Sequence, residues 1–74
     1  MITEKIIPLV EAIIDRKYII VDNQNHKYTE LGLYKGNEVN VLKTNDRSLI
    51  LAVGASRYII SQKVAKKIMV VWNK

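Results

Sequence analysis

The stretch Leu31-Gly32-Leu33-Tyr34-Lys35-Gly36-Asn37-Glu38-Val39-Asn40-Val41-Leu42-Lys43 decides how the rest of the chain is read. Gly32 and Gly36 can take positive φ, so the chain can reverse tightly before a strand begins. That strand is announced by Glu38-Val39-Asn40-Val41, where polar and apolar residues alternate with the period of a half-buried sheet. Leu31 and Leu33 are placed to plug the end of a small barrel. Towards the C-terminus, Thr44-Asn45-Asp46-Arg47 is a polar cluster suited to a hairpin loop, and Ser48 to Val53 returns as an apolar strand. Gly54-Ala55-Ser56 supplies the next turn and Arg57 to Ile60 the next strand, so these two strands form a hairpin.

After Ser61, which fits an N-cap, Gln62-Lys63-Val64-Ala65-Lys66-Lys67-Ile68 contains good helix formers, with Val64, Ala65 and Ile68 on one helical face. A strand over Ile68 to Trp72 follows, so the helix is short. Towards the N-terminus, Tyr18-Ile19-Ile20-Val21 is β-branched and aromatic, and it stops at the turn chemistry of Asp22-Asn23-Gln24-Asn25. Ile2, Ile6, Leu9 and Ile13 fit a helical stripe, but Pro8 lacks the amide hydrogen of an interior turn. The expectation is an extended segment to Ile7 and one short helical turn starting at Pro8. About five strands and one or two short helices predict a mainly β fold, and closure into a small barrel hides the edges of so small a sheet.

With 74 residues, the chain is expected to be a single domain over residues 1–74. No cysteine and one histidine remove disulfides, thiolate zinc sites, iron–sulfur clusters and cysteine nucleophiles. The 49% apolar content is enough for a packed core, yet no run reaches the roughly 18 to 20 consecutive apolar residues of a membrane-spanning helix. The N-terminus lacks the ordered regions of a signal peptide, so a cytoplasmic address is expected. The formal charge of +5 is unevenly laid out. Six basic residues face all seven acids up to Asp46; beyond it come Arg47, Arg57, Lys63, Lys66, Lys67 and Lys74 with no acid at all. Such asymmetry marks a candidate face for an acidic partner or nucleic acid, against the plainer reading of a solvated surface.

The Leu31-Gly32-Leu33 and Gly36 pattern, with Pro8-Leu9, Glu11 and Ala12 before it and Arg57 to Ile60, Ala65, Ile68 and Val70 after it, resembles the ferrous iron transport protein A (FeoA) family. The likeness runs from Pro8 to Val70. It implies a small SH3-like barrel, and a noncatalytic cytosolic accessory module that docks on or regulates a FeoB-like ferrous iron permease of bacteria. Family members usually carry a longer helix where this chain has only Asp22 to Glu30, and the loop from Thr44 to Ser48 lacks their proline and glycines. The alternative is a nucleic-acid-binding small barrel, or a stand-alone relative of the C-terminal SH3-like domain of iron-dependent repressors.

The candidate chemistry is sparse. His26 and Glu30 lie four residues apart and would share a face of a short helix, a weak candidate pair for Fe(II) or another divalent cation. Two ligands make a poor site, and a solvated turn histidine is the favoured reading. Ser48, Ser56 and Ser61 suit turns and caps, and the glycines are not spaced as a phosphate loop, so no enzyme and no cofactor are expected. Arg57, Lys63, Lys66 and Lys67 form the candidate partner-binding surface, with Trp72 either in the core or as an interface anchor. Tyr18, Tyr28, Tyr34 and Tyr58 could stack on bases, although Tyr18 and Tyr58 fit the core or its rim better, and no nucleic-acid motif accompanies them. Strands apolar on both faces also point to cover by the N-terminal segment, by a homodimer or by a partner protein, without membrane insertion.

Overall fold

The computed structural model describes residues 5–23 and 32–73. Its elements are β1 (Ile7–Pro8), a 3-10 turn (Leu9–Glu11), β2 (Lys17–Asn23), β3 (Glu38–Thr44), β4 (Ser48–Val53), β5 (Ser56–Ser61), α1 (Gln62–Ala65) and β6 (Ile68–Trp72). The strands make one six-stranded antiparallel sheet in the order β1-β6-β2-β3-β4-β5.

Alternation in the sequence becomes two faces of this sheet. Leu49, Leu51 and Val53 of β4 point inward, as do Val39 and Val41 of β3, while Ser48, Ile50 and Ala52 turn outward. Tyr18, Ile20, Ile60, Ile68 and Val70 join them, and Leu9, Leu33 and Ala65 close the core from the connecting segments. Each of the larger aliphatic side chains contributes on the order of 1.5–3 kcal/mol by leaving water. One extra residue, Val21 in β2 and Leu42 in β3, shifts the register of the neighbouring ladder. Such bulges bend and twist a strand, which helps so small a sheet to roll up. At the open side α1, which follows β5, packs on the 3-10 turn, which follows β1. The result is the SH3-like small barrel that the family resemblance implied, but among the described residues β1 and β5 each pair with one strand only, so the expected closure does not hide the sheet edges.

Four boundaries differ from expectation. A sixth strand exists because Ile7 and Pro8 pair with Val70 and Met69. Two residues are too few to show a period, and Pro8 is tolerated in an edge strand where no amide is needed. Pro8 is extended (φ −70, ψ 150) and precedes the 3-10 turn instead of starting it. Strand β2 continues through Asp22 and Asn23, which pair with Met69 and Ile68, so cross-strand pairing overrides their turn preference. Finally, α1 ends at Ala65, with Lys66 and Lys67 in a turn instead of the helix, while β6 spans Ile68 to Trp72 as expected. Ser61 does cap α1, its Oγ accepting from the Val64 amide at 3.1 Å. The β4–β5 hairpin is as expected, with Gly54 (φ 60) first in a two-residue loop of the kind that matches strand twist. Among the described residues no helix is long and apolar enough to cross a membrane.

Candidate functional site

The glycine-rich turn before β3 is a brace. Gly32 (φ 98) and Gly36 (φ 93) both occupy backbone space that L side chains avoid. The Gly36 amide donates to the Ile20 carbonyl at 2.7 Å, and the Ile20 amide donates to the Asn37 carbonyl at 2.9 Å, which ties the turn to β2. Asn37 Nδ2 donates to the Gly32 carbonyl at 2.5 Å, and Asn23 Nδ2 to the Leu33 carbonyl at 2.6 Å. A Cβ on Gly32 would stand 2.9 Å from Val53 Cγ1, so this glycine is needed for close approach as well as for its φ. Leu33 is fully buried, whereas Leu31 lies outside the described residues.

The acid-free end of the chain builds the second feature. On the outer face of the sheet Ala52 stands opposite Arg57, and Ile50 opposite Ile59. Lys43 is paired with Ile50 on the other side, and Lys17 with Asn40, itself the neighbour of Ala52. An apolar strip is therefore rimmed by Lys17, Lys43 and Arg57. Ile59 is 70% exposed, the most exposed large apolar side chain among the described residues. Beyond β5, Lys63 is exposed on α1, and Lys66 and Lys67 are exposed in the turn that follows. The β3–β4 loop supports this end: Asn45 Oδ1 accepts from the amides of Arg47 and Ser48, and Gln62 Nε2 donates to the Asn45 carbonyl at 2.6 Å. The Gln62 amide donates to the Arg47 carbonyl at 2.8 Å, which fixes α1 against that loop.

Arg57 lies on β5 and Lys63 on the helix that follows it, whereas Trp72 lies on β6. Trp72 ends β6 beside Tyr18, about 13 Å along the strand from Ile68 and hence from the lysine turn. It is 42% exposed and not in the core, and the Arg16 guanidinium lies 3.9 Å from its ring centroid. That contact between residues far apart in the chain has no sequence signal. Tyr18 is buried, its hydroxyl accepting from the Ile13 amide at 3.0 Å, and Tyr58 packs on the core; Tyr34 is exposed. His26, Glu30 and Tyr28 lie outside the described residues, among which no group of three or more His, Cys, Asp or Glu could hold a metal ion. Ser48 hydrogen-bonds within the Asn45 turn and Ser61 caps α1. One further polar atom stands out: Asn40 Oδ1 is buried with no hydrogen-bond partner.

Comparison with known proteins places this geometry. The family model for the FeoA domain matches residues 7–71. A crystal structure of an iron uptake regulatory protein (FeoA) superposes with a TM-score of 0.85 at 29% identity, covering 93% of this chain and 99% of that one. The NMR structure of a FeoA-like protein from Clostridium acetobutylicum gives 0.78 at 20% identity, over 93% of this chain and 87% of the other. A manganese-dependent transcriptional repressor gives 0.80 at 13% identity, with 96% of this chain matching 44% of the repressor, a likeness of fold alone. No curated protein matches the sequence.

Proposed function

The chain belongs to the FeoA domain family, and from that premise we propose that it is a noncatalytic accessory module of bacterial ferrous iron uptake that docks in the cytoplasm on a FeoB-like permease. The observation that carries this reading is the exposed, acid-free end of the chain: Arg57 shares the outer face of β5 with the exposed Ile59, and Lys63, Lys66 and Lys67 are exposed on the helix and turn that follow, with no acid after Asp46. A cationic surface with an apolar centre is suited to an acidic protein face, where charge steers the encounter and the apolar contact holds it. Trp72 with its stacked Arg16 lies at the far end of β6 and offers a second, separate contact. The chemistry asked of the module is binding; ferrous iron is the cargo of the system it serves.

Titration of the full chain into the cytosolic region of the permease tests the proposal. Saturable binding that weakens with salt, and that falls at least tenfold when Lys63, Lys66 and Lys67 are changed to Glu, is the expected result. No binding by the wild type defeats the docking reading, and unchanged binding by the triple variant removes those lysines from the interface.

A further inference from the structure

A sheet with two edges must protect both or use one. The edge at β1 is protected: it is two residues long and contains Pro8. Short strands and proline are standard means of blocking further pairing. The edge at β5 is built differently. It is six residues long, contains no proline, and pairs with β4 in an uninterrupted register from Ser48↔Ser61 to Val53↔Ser56. Bulges interrupt the β2–β6 and β3–β4 ladders but not this one. Among the described residues β4 is its only ladder partner, and Ser56, Arg57, Ile59 and Ser61 are exposed along it. Six residues span roughly 20 Å, the length of an ordinary strand.

We infer that the edge of β5 away from β4, unpaired among the described residues, accepts an extended acidic peptide segment of a partner protein as a further strand, with an acidic residue set beside Arg57 and an apolar residue beside Ile59. The spacing follows from the pleat: Arg57 and Ile59 are two residues apart and share the outer face, so the partner needs an acidic and an apolar residue two positions apart on one face of its strand. The occupant is chosen by charge. Arg57 is the only charged residue of β5, Arg47 and Lys63 flank its C-terminal end, and no acid follows Asp46. A second copy adding at the same edge would bring two such cationic sets together, with each chain at +5, and is disfavoured by like-charge repulsion. An acidic strand satisfies the free backbone groups through main-chain hydrogen bonds and the cations through side chains, the mode known as β-augmentation. For the identity of the partner this inference rests on the docking proposal above; for the mode of binding it does not.

The test uses the seven-residue probe Thr-Glu-Thr-Val-Thr-Glu-Thr, which sets Glu and Val two residues apart on one face, added to the full chain and followed by amide chemical shifts and hydrogen exchange. The inference expects shifts centred on Arg57 to Ile59 and slowed exchange of the β5 amides that point away from β4. It also expects binding about tenfold weaker with Arg57→Glu or Ile59→Lys, and loss of binding when the probe is N-methylated on its pairing edge. The same probe with Lys in place of both Glu residues should not bind. Shifts confined to Lys63, Lys66 and Lys67 with unchanged β5 exchange, or an N-methylated probe that binds as well as the parent, would overturn it, as would concentration-dependent dimerisation through β5. Competition separates this inference from the docking proposal. A permease region that binds but is not displaced by the β5-bound probe leaves docking intact and refutes the edge as its site. A probe that pairs with β5 while the permease region does not bind supports the edge and refutes the partner.

Discussion

Replacing Gly32 by Ala is expected to be one of the most damaging single-methyl changes available in this chain. Two costs add at this position. The backbone sits at φ 98, where an L side chain is strained by about 1–3 kcal/mol. The new Cβ would also lie 2.9 Å from Val53 Cγ1 and 3.3 Å from Asn37 Nδ2, closer than packed atoms tolerate. Val53 is a core residue, so it cannot simply swing into solvent, and overpacking of this kind costs about 1–3 kcal/mol. The reduced freedom of the unfolded chain offsets about 0.4–1 kcal/mol. The net loss is about 1–5.5 kcal/mol, out of a total stability of roughly 4–11 kcal/mol for a chain this size. Gly36 is the internal control, because it has the same kind of φ (93) with nothing within 4 Å of an added Cβ. Gly36→Ala should therefore cost only about 1–2 kcal/mol. Urea unfolding followed by far-ultraviolet circular dichroism gives both values from midpoints at constant slope. The clash is isolated by a cycle with Val53→Ala: the double variant should be more stable than the sum of the two single effects predicts. Equal losses at Gly32 and Gly36, or strict additivity with Val53→Ala, would refute the close-approach argument.

Other variants probe other links. Ser61→Ala removes the cap on α1 and should cost about 1 kcal/mol in thermal or urea unfolding, with the amide of Val64 losing exchange protection. Asn40→Val removes a buried acceptor that has no partner and suits a strand, so a gain of about 1 kcal/mol, or roughly 4–8 °C in Tm, is expected. Ile59→Lys alters an exposed side chain, and unfolding should shift by no more than about 0.5 kcal/mol, which makes it a clean binding variant. Arg16→Ala should change the fluorescence of Trp72, the only tryptophan, with a stability loss of about 0.5–1 kcal/mol.

What could be read from the sequence was whatever depends on local pattern. Alternation in Glu38 to Val41 and the apolar run from Leu49 to Val53 placed two strands, because one buried face forces a period of two. Gly54 placed the hairpin, and Ser61 the helix start, because each has its own turn or cap chemistry. What escaped the sequence depends on partners distant in the chain. Nothing local tells that Asp22 and Asn23 stay in a strand, since only their ladder with Met69 and Ile68 keeps them there. Nor does any spacing bring Arg16 over Trp72. The cationic end was visible as a count of charges, but the open β5 edge beside it was visible only once the strand order was known.

We propose that this module serves ferrous iron uptake by docking through its basic end. Uptake of radiolabelled Fe(II) by cells that carry the permease, with this chain deleted and then restored, measures it most directly. The account predicts that deletion lowers the uptake rate, that the wild type restores it, and that a variant with Lys63, Lys66 and Lys67 changed to Glu does not, although it folds and accumulates normally. Uptake that is indifferent to the deletion, or fully restored by the charge-reversed variant, would contradict it.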